Sequence, residues 1–450
     1  MLKYQNLAFF SYIGKYSKKW DYVSFILLAT CLFLAPSNLF LKLLPNTGYV
    51  NNLQIDYLIP KLHLSFLFLL LFVITRLPVI LFKFNKSSQV FKKNKYWLLG
   101  LTTLFIHQCF AVFPMVALWT FISLVIFLLF YRTATLFLDT LSDAKKQLFI
   151  WVLYITLFFQ AGLGTFQFVT QRSLGGFLFL GETTLRNQPY LARGDFYFID
   201  SIVGTSFGQR VLPYGTLPHP NVLAGFLAVG MVVLFYRLTI NNWLKSLLML
   251  PLLVTLFLTL SISAWMTLLL GLLSLYFKKT ALFQSKSIWF AILGVFFLIP
   301  VLLGISQPKA DQPLAENLFL RSWSSNTSIT RRVILNEVAL KELAFQPVFG
   351  VGFNHFTVFV ERFQPSSEVV AFVQPAHHVG LLMLAELGIL GTGLILRLMK
   401  KIMKLDRQSV LFLAILFLPI ASLDHYLFTL IQGWWLVVIA CLFLSSEKKT

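Results

Sequence analysis

The amino-acid sequence predicts an all-α polytopic membrane protein of about twelve transmembrane helices, and three observations carry that prediction. Of 450 residues, 58% are hydrophobic and 12% charged, with a mean hydropathy of +0.78. A soluble domain could not cover that much apolar surface, whereas a bilayer accepts it in runs of about 20 residues. Such runs recur at 22–44, 64–82, 97–112, 115–132, 148–168, 220–237, 246–261, 264–277, 288–305, 378–397, 409–423 and 427–445. Positive charge then collects on alternate connecting segments, as it does in cytoplasmic loops.

Residues 1–21 carry Lys3, Lys15, Lys18 and Lys19 ahead of the first run and lack a cleavable-signal pattern. They read as a signal anchor with the N-terminus inside. An even number of crossings places Lys448 and Lys449 on the same side, so both termini are expected in the cytoplasm. The short inner loops hold Lys83, Lys86, Lys92, Lys93 and Lys95, then Arg132, Lys145 and Lys146, then Arg237 and Lys245, then Lys278, Lys279 and Lys286. A last inner loop holds Arg397, Lys400, Lys401, Lys404 and Arg407. The chain 1–450 thus reads as a single membrane domain. Two long segments face the other side: a first extracytoplasmic loop, 169–219, and a large extracytoplasmic loop, 306–377, before a late transmembrane helix. Within the second, 327–345 has helical periodicity, which predicts a short helix lying over the membrane surface.

These readings exclude several classes. A net charge of +20 would suggest nucleic acid in a soluble protein, but here the loops explain it, so the expected surroundings are membrane lipids and no nucleic acid. Cys31, Cys109 and Cys441 lie in apolar runs without metal or disulfide spacing and read as packing residues. No Walker motif, dinucleotide fingerprint or zinc spacing is present, so cytoplasmic nucleotide chemistry has no visible site. The membrane core is poor in charge, with Arg76 and Glu386 the main exceptions and Arg76 placed to snorkel inward. A transporter or flippase would be expected to invest its polar groups at mid-membrane. This chain invests them in the outer loops, as an enzyme would.

The outer side also changes the type of cation. Inside, Lys dominates. Outside, Arg172, Arg186, Arg193, Arg210, Arg321, Arg331, Arg332 and Arg362 outnumber Lys42, Lys61, Lys309 and Lys341. The guanidinium fork suits phosphate and carboxylate. Either these arginines bind a phosphate-bearing ligand, or they pair with Asp195, Asp200, Glu337 and Glu361.

Three constellations lie on that side. The first runs from Arg210 to Asn221 through Pro218, His219 and Pro220. The prolines stop any helix before the crossing. Asn221 is placed to cap the helix that follows, whose N-terminus attracts anions. The second is Gln374-Pro-Ala-His377-His378-Val-Gly380, leading to Glu386, Gly388 and Gly391. Adjacent histidines do not share a helix face, so at most one acts as a base. Glu386 is an intramembrane acid, and such groups are either functional or bonded to a neighbouring helix. Gly388 and Gly391 suggest close helix packing. The third holds Arg331 and Arg332 near the start of the loop helix and the glycine-rich turn Gln346 to Phe353 at its end. Asp424 and His425, at the outer tip of the last hairpin, either support the site or satisfy each other.

With these residues in view, the pattern resembles the O-antigen ligase / O-antigen polymerase family of bacterial membrane glycosyltransferases. Three blocks carry the resemblance, in order: Arg210 to Asn221, Arg332 to Gly352, and His377 to Gly391. The ligase signature is similar to His, a small polar residue, nine others, Gly, two others, Gly; here His377, His378, Gly388 and Gly391 keep that spacing. Topology fits too, and the likeness spans roughly 150–440. The resemblance implies a GT-C-like helical fold in the bacterial cytoplasmic membrane, and a donor glycan on a polyprenyl diphosphate. It implies a glycan, lipid or protein hydroxyl as acceptor, with no cofactor and no metal. His377 matches the histidine proposed to deprotonate the acceptor. Arg210 and Arg332 match arginines thought to hold the diphosphate, with Arg331 a rival to Arg332. His378 stands where the family usually has Asn, and Ile262 stands where relatives often carry Arg after Ser261. Ligase, polysaccharide polymerase and protein O-oligosaccharyltransferase remain open, the His–Gly spacing leaning towards ligase.

Overall fold

A computed structural model describes residues 20–85, 89–185, 191–195, 208–277, 326–364 and 373–444, and it is mostly helical. Helix α1 (Trp20–Leu34) is followed by a small outer ribbon, β1 (Phe40–Lys42) with β4 (Lys61–His63) and β2 (Tyr49–Val50) with β3 (Leu53–Gln54). Then come α2 (Leu64–Asn85), α3 (Gln89–Gln108), α4 (Pro114–Leu138) and α5 (Asp143–Thr170). A hairpin of β5 (Arg193–Asp195) and β6 (Gln209–Val211) leads into α6 (Pro220–Arg237), α7 (Asn242–Leu258) and α8 (Ile262–Phe277). Helices α9 (Asn326–Phe345) and α10 (Phe356–Phe363) precede α11 (Val379–Met403), α12 (Arg407–Leu423), the single turn α13 (Tyr426–Thr429) and α14 (Ile431–Leu444).

Among the described residues four helices, α4, α5, α6 and α11, are long and apolar enough to cross a membrane, and six shorter apolar helices accompany them. The twelve-span reading is therefore met only in its coarser form, an apolar helical bundle. The expected run 22–44 ends as helix at Leu34, because Pro36 cannot continue it and the chain turns into β1. The expected run 288–305 lies outside the described residues, as do both termini. The loop helix expected at 327–345 is α9.

Helix α6 is the central post, buried along most of its length among α5, α7, α8 and α14. Hydrocarbon chains offer no hydrophobic gain between helices, so such contacts rest on close packing. An aromatic cluster of Phe66, Phe127, Phe130 and Trp435 ties α2, α4 and α14 together, with edge-to-face rings 5.2 Å apart at Phe127–Trp435 and Phe130–Trp435. Arg76, expected to snorkel inward, is buried and bonded to Asp21 at the start of α1. Cys31 and Cys441 are packed in the core as expected, but Cys109 is exposed beyond the end of α3.

Alternating helix direction brings the C-terminal ends of α1, α5, α7 and α12 to one end of the bundle, beside the N-terminal ends of α4, α6, α8, α11 and α14. The ribbons, α9 and α10 sit there, and all the candidate site residues fall at that end.

Candidate functional site

That end encloses a cavity of about 1220 Å³, above the ~300–1,000 Å³ usual for small-molecule pockets. Its polar lining includes Asp56 from the turn before β4 and Lys61 of β4, Arg193 and Gln209 from the β5–β6 hairpin, and His219 and Asn221 from the start of α6. Arg331 and Arg332 come from α9, His377 from the turn before α11, and Asp424 and His425 from the α12–α13 turn.

The α6 end departs from expectation. Pro220 is the first helical residue, and its fixed φ suits that position. The cap is His219, whose Nδ1 accepts from the Asn221 amide at 3.1 Å. Asn221 is thereby freed from capping. Its side-chain amide donates to Asp424 Oδ2 at 3.0 Å. Asp424 and His425 do not satisfy each other: His425 Nδ1 pairs with Thr429 Oγ1 at 2.7 Å. The His425 ring meets Tyr57 edge-on at 5.6 Å and His377 edge-on at 5.0 Å.

Arg332 is the electrostatic centre of this group, and its Nε is buried with no hydrogen-bond partner. The ring of His219 is open to the cavity but walled by protein elsewhere. That confinement, and then the Arg332 charge, lower its pKa to about 4. Burial, then His219 and Arg332, hold His425 at about 3. Burial, then His425 and Arg332, drive His377 well below its ordinary range, so at neutral pH it is an uncharged imidazole. Its Nδ1 is buried without a hydrogen-bond partner. Asp424 moves up, to about 6, because burial outweighs the help of Arg332 and Asn221. Among the described residues no group of three His, Cys, Asp or Glu side chains is placed to hold a metal ion.

His378 does a separate task. It is fully buried and is the N-cap of α11, its Nδ1 accepting from the Leu381 amide at 3.2 Å. The His–His pair is thus split: His378 starts the helix and His377 faces the cavity.

Helix α11 breaks at Gly388, whose backbone (φ 64, ψ −176) is non-helical. The break turns freed backbone groups toward the glycine-rich segment after α9. Val351 and Gly352 amides donate to the carbonyls of Ala385 and Glu386, and the Ile389 and Leu390 amides donate to Pro347 and Val348. A Cβ on Gly388 would stand 2.3 Å from the Val348 carbonyl, and one on Gly350 2.4 Å from the Glu386 carbonyl carbon. Gly388 therefore serves a backbone-to-backbone approach and not the helix packing expected, whereas Gly391 does pack, against Leu104 and Leu387.

The Glu386 carboxylate accepts from the amides of Asn354 (2.6 Å) and Phe356 (3.2 Å) and also lines the cavity. It fastens the turn before α10 to α11. Glu342 of α9 is fully buried with neither oxygen hydrogen-bonded; burial and the neighbouring Glu386 push its carboxyl well up, so it is neutral. Nothing in the composition of α9 marked that acid out from a surface Glu.

Arg210 is not brought into the cavity lining. It sits on β6 with its guanidinium 3.4 Å from the Val169 carbonyl and over the Phe168 ring. Ser261, Ile262 and Ser263 do line the cavity, so the Ile262 departure falls on its wall. Tyr57 carried no sequence signal, Arg193 stood out only as one of the eight outer arginines, and His219 only as a neighbour of Asn221 in its motif.

Residues 246–396 match the family model described as O-antigen ligase. The match supports assignment of the chain to that family. The matched segment contains Arg331, Arg332, His377, His378 and Glu386, but not Arg210, Asn221, Asp424 or His425. Comparison with curated proteins and with solved structures gave no match.

Proposed function

We propose that this chain is an O-antigen ligase-like glycosyltransferase. It moves a glycan from a polyprenyl-diphosphate carrier to an acceptor hydroxyl, on the extracytoplasmic side of the bacterial cytoplasmic membrane. The observation that carries the reading is the shared cavity of Arg332, Arg331 and an uncharged His377, in a chain whose middle segment matches the ligase family.

The acceptor oxygen attacks the anomeric carbon, its proton passing to His377, while the bond from that carbon to the diphosphate oxygen breaks. A positioned general base is worth roughly 10²–10⁴-fold in rate. Charge grows on the departing diphosphate, and fixed guanidinium groups stabilise charge that develops in a water-poor site. The same diphosphate offsets the positive field that depresses His377, so a bound donor makes the base stronger. Attack opposite the leaving group inverts the anomeric centre.

The test uses purified protein, a polyprenyl-diphosphate glycan and three separate acceptors: lipid A-core, a second lipid-linked repeat unit, and a Ser/Thr peptide. Product on lipid A-core with inverted configuration supports the ligase reading. Product on one of the other two reassigns it as polymerase or protein O-oligosaccharyltransferase. Retained configuration removes the direct-attack mechanism. A flippase is disfavoured because the site's polar groups gather at one end of the bundle.

A further inference from the structure

Of the cations described so far, Arg331 and Arg332 meet the cavity from the start of α9 and Lys61 from β4. The β5–β6 hairpin is a further part of the lining, and Arg210, expected to hold the diphosphate, stays out of it. In the ribbon, Arg193 pairs with Val211, Gly194 with Arg210, and Asp195 with Gln209. Side chains alternate along a strand and directly paired residues share a face. Arg193 and Gln209 therefore lie on one face and Arg210 on the other. Arg193 and Gln209 line the cavity, as do Gly194 and Leu212 of the other face, while the Arg210 guanidinium is outside the lining, against Val169 and Phe168. The hairpin is held close to the rim, since a Cβ at Gly194 would stand 2.6 Å from Leu260, itself on the cavity wall.

We propose that Arg193 is the second diphosphate-binding cation, reaching the donor from the β5–β6 hairpin while Arg332 reaches it from α9. This rests on the transferase reading above and names the residue that completes its donor site. Arg193 is exposed to the cavity, and its planar fork suits a phosphate group bidentately. A diphosphate offers one phosphate to each arginine; a monophosphate does not. Arg193 thus sets the preference for a diphosphate carrier as well as affinity.

The experiment measures binding of undecaprenyl diphosphate and undecaprenyl phosphate to the purified full chain in detergent, with no acceptor. Wild type is expected to prefer the diphosphate. Arg193→Ala should weaken diphosphate binding by roughly tenfold or more, as loss of a charge-assisted contact does. It should bring the two lipids to similar affinity. Arg193→Lys, which keeps charge but loses the fork, should fall between. Unchanged thermal midpoints for both variants exclude misfolding. Diphosphate binding within about twofold of wild type in Arg193→Ala, while Arg332→Ala loses it, overturns the assignment of Arg193 and leaves the transferase reading standing. Failure of wild type to bind either lipid overturns the donor reading itself.

Discussion

Gly388 offers a sharp test of how the site is built, because its role can be worked out atom by atom. Its backbone lies near φ 64, ψ −176, a region almost confined to glycine, and holding another residue there costs about 1–3 kcal/mol. An alanine Cβ would meet the Val348 carbonyl carbon and oxygen at 2.3 Å and the Phe349 amide nitrogen at 2.5 Å. These are backbone atoms and cannot swing aside as a side chain would. Relief requires the 347–349 segment to leave α11, breaking the bonds from Ile389 to Pro347 (2.8 Å) and Leu390 to Val348 (3.0 Å). Two such bonds contribute about 1 kcal/mol each, so with the backbone term Gly388→Ala costs roughly 3–5 kcal/mol. The moved segment links α9, with its arginines, to α10, so transfer should fall with stability. Gly393→Ala, also on α11, meets nothing within 4 Å and should be neutral or slightly stabilising. Thermal unfolding in detergent and transfer are the assays. Wild-type midpoint and activity in Gly388→Ala would refute the backbone-contact reasoning.

Three further outcomes follow from named contacts. Asp424 has its folded pKa raised from 3.8 to about 6, so only above that pH is it the carboxylate that Arg332 and the Asn221 bond favour; transfer should decline as pH falls through about 6, and Asp424→Asn should remove that inflection while lowering the rate throughout. The sign for stability is opposite: the folded state holds the proton more tightly, so Asp424's contribution is present below pH 3.8 and lost as pH rises through about 6, which a denaturation series against pH reads directly. His378→Asn keeps an α11 cap and should retain near wild-type stability and transfer, whereas His378→Ala loses the cap at a cost of about 1 kcal/mol. His355→Ala leaves the Phe113 amide, now bonded to Nε2 at 2.9 Å, without its acceptor, and should lower the thermal midpoint by the equivalent of about 1–3 kcal/mol.

Most of the bundle was legible because lipid imposes a length and a composition that a chain cannot hide. The loop helix α9 was also legible, expected at 327–345 and found at Asn326–Phe345. The site was legible in part. Arg331, Arg332, His377, Asn221, Asp424 and His425 do share the cavity, because alternating helix direction carries their segments to the same end. What spacing does not encode is the turn of a short ribbon. Arg193 and Arg210 have the same chemistry and lie on paired strands, on opposite faces of the ribbon, and of the two only Arg193 lines the cavity. Capping misled in a related way: Asn221 is the better intrinsic cap, yet Pro220 fixes the first turn one residue earlier and gives the position to His219. The kink at Gly388 was invisible for a third reason, since its cause lies forty residues upstream in Val348.

Transfer by His377→Ala, set beside its binding of the lipid-linked donor, tests the proposed chemistry most directly. The variant should bind a polyprenyl-diphosphate glycan about as well as wild type and form no glycosylated acceptor detectable by mass, because Arg332 still holds the diphosphate and nothing takes the hydroxyl proton. Wild-type transfer by His377→Ala would contradict the assignment of His377 as the base.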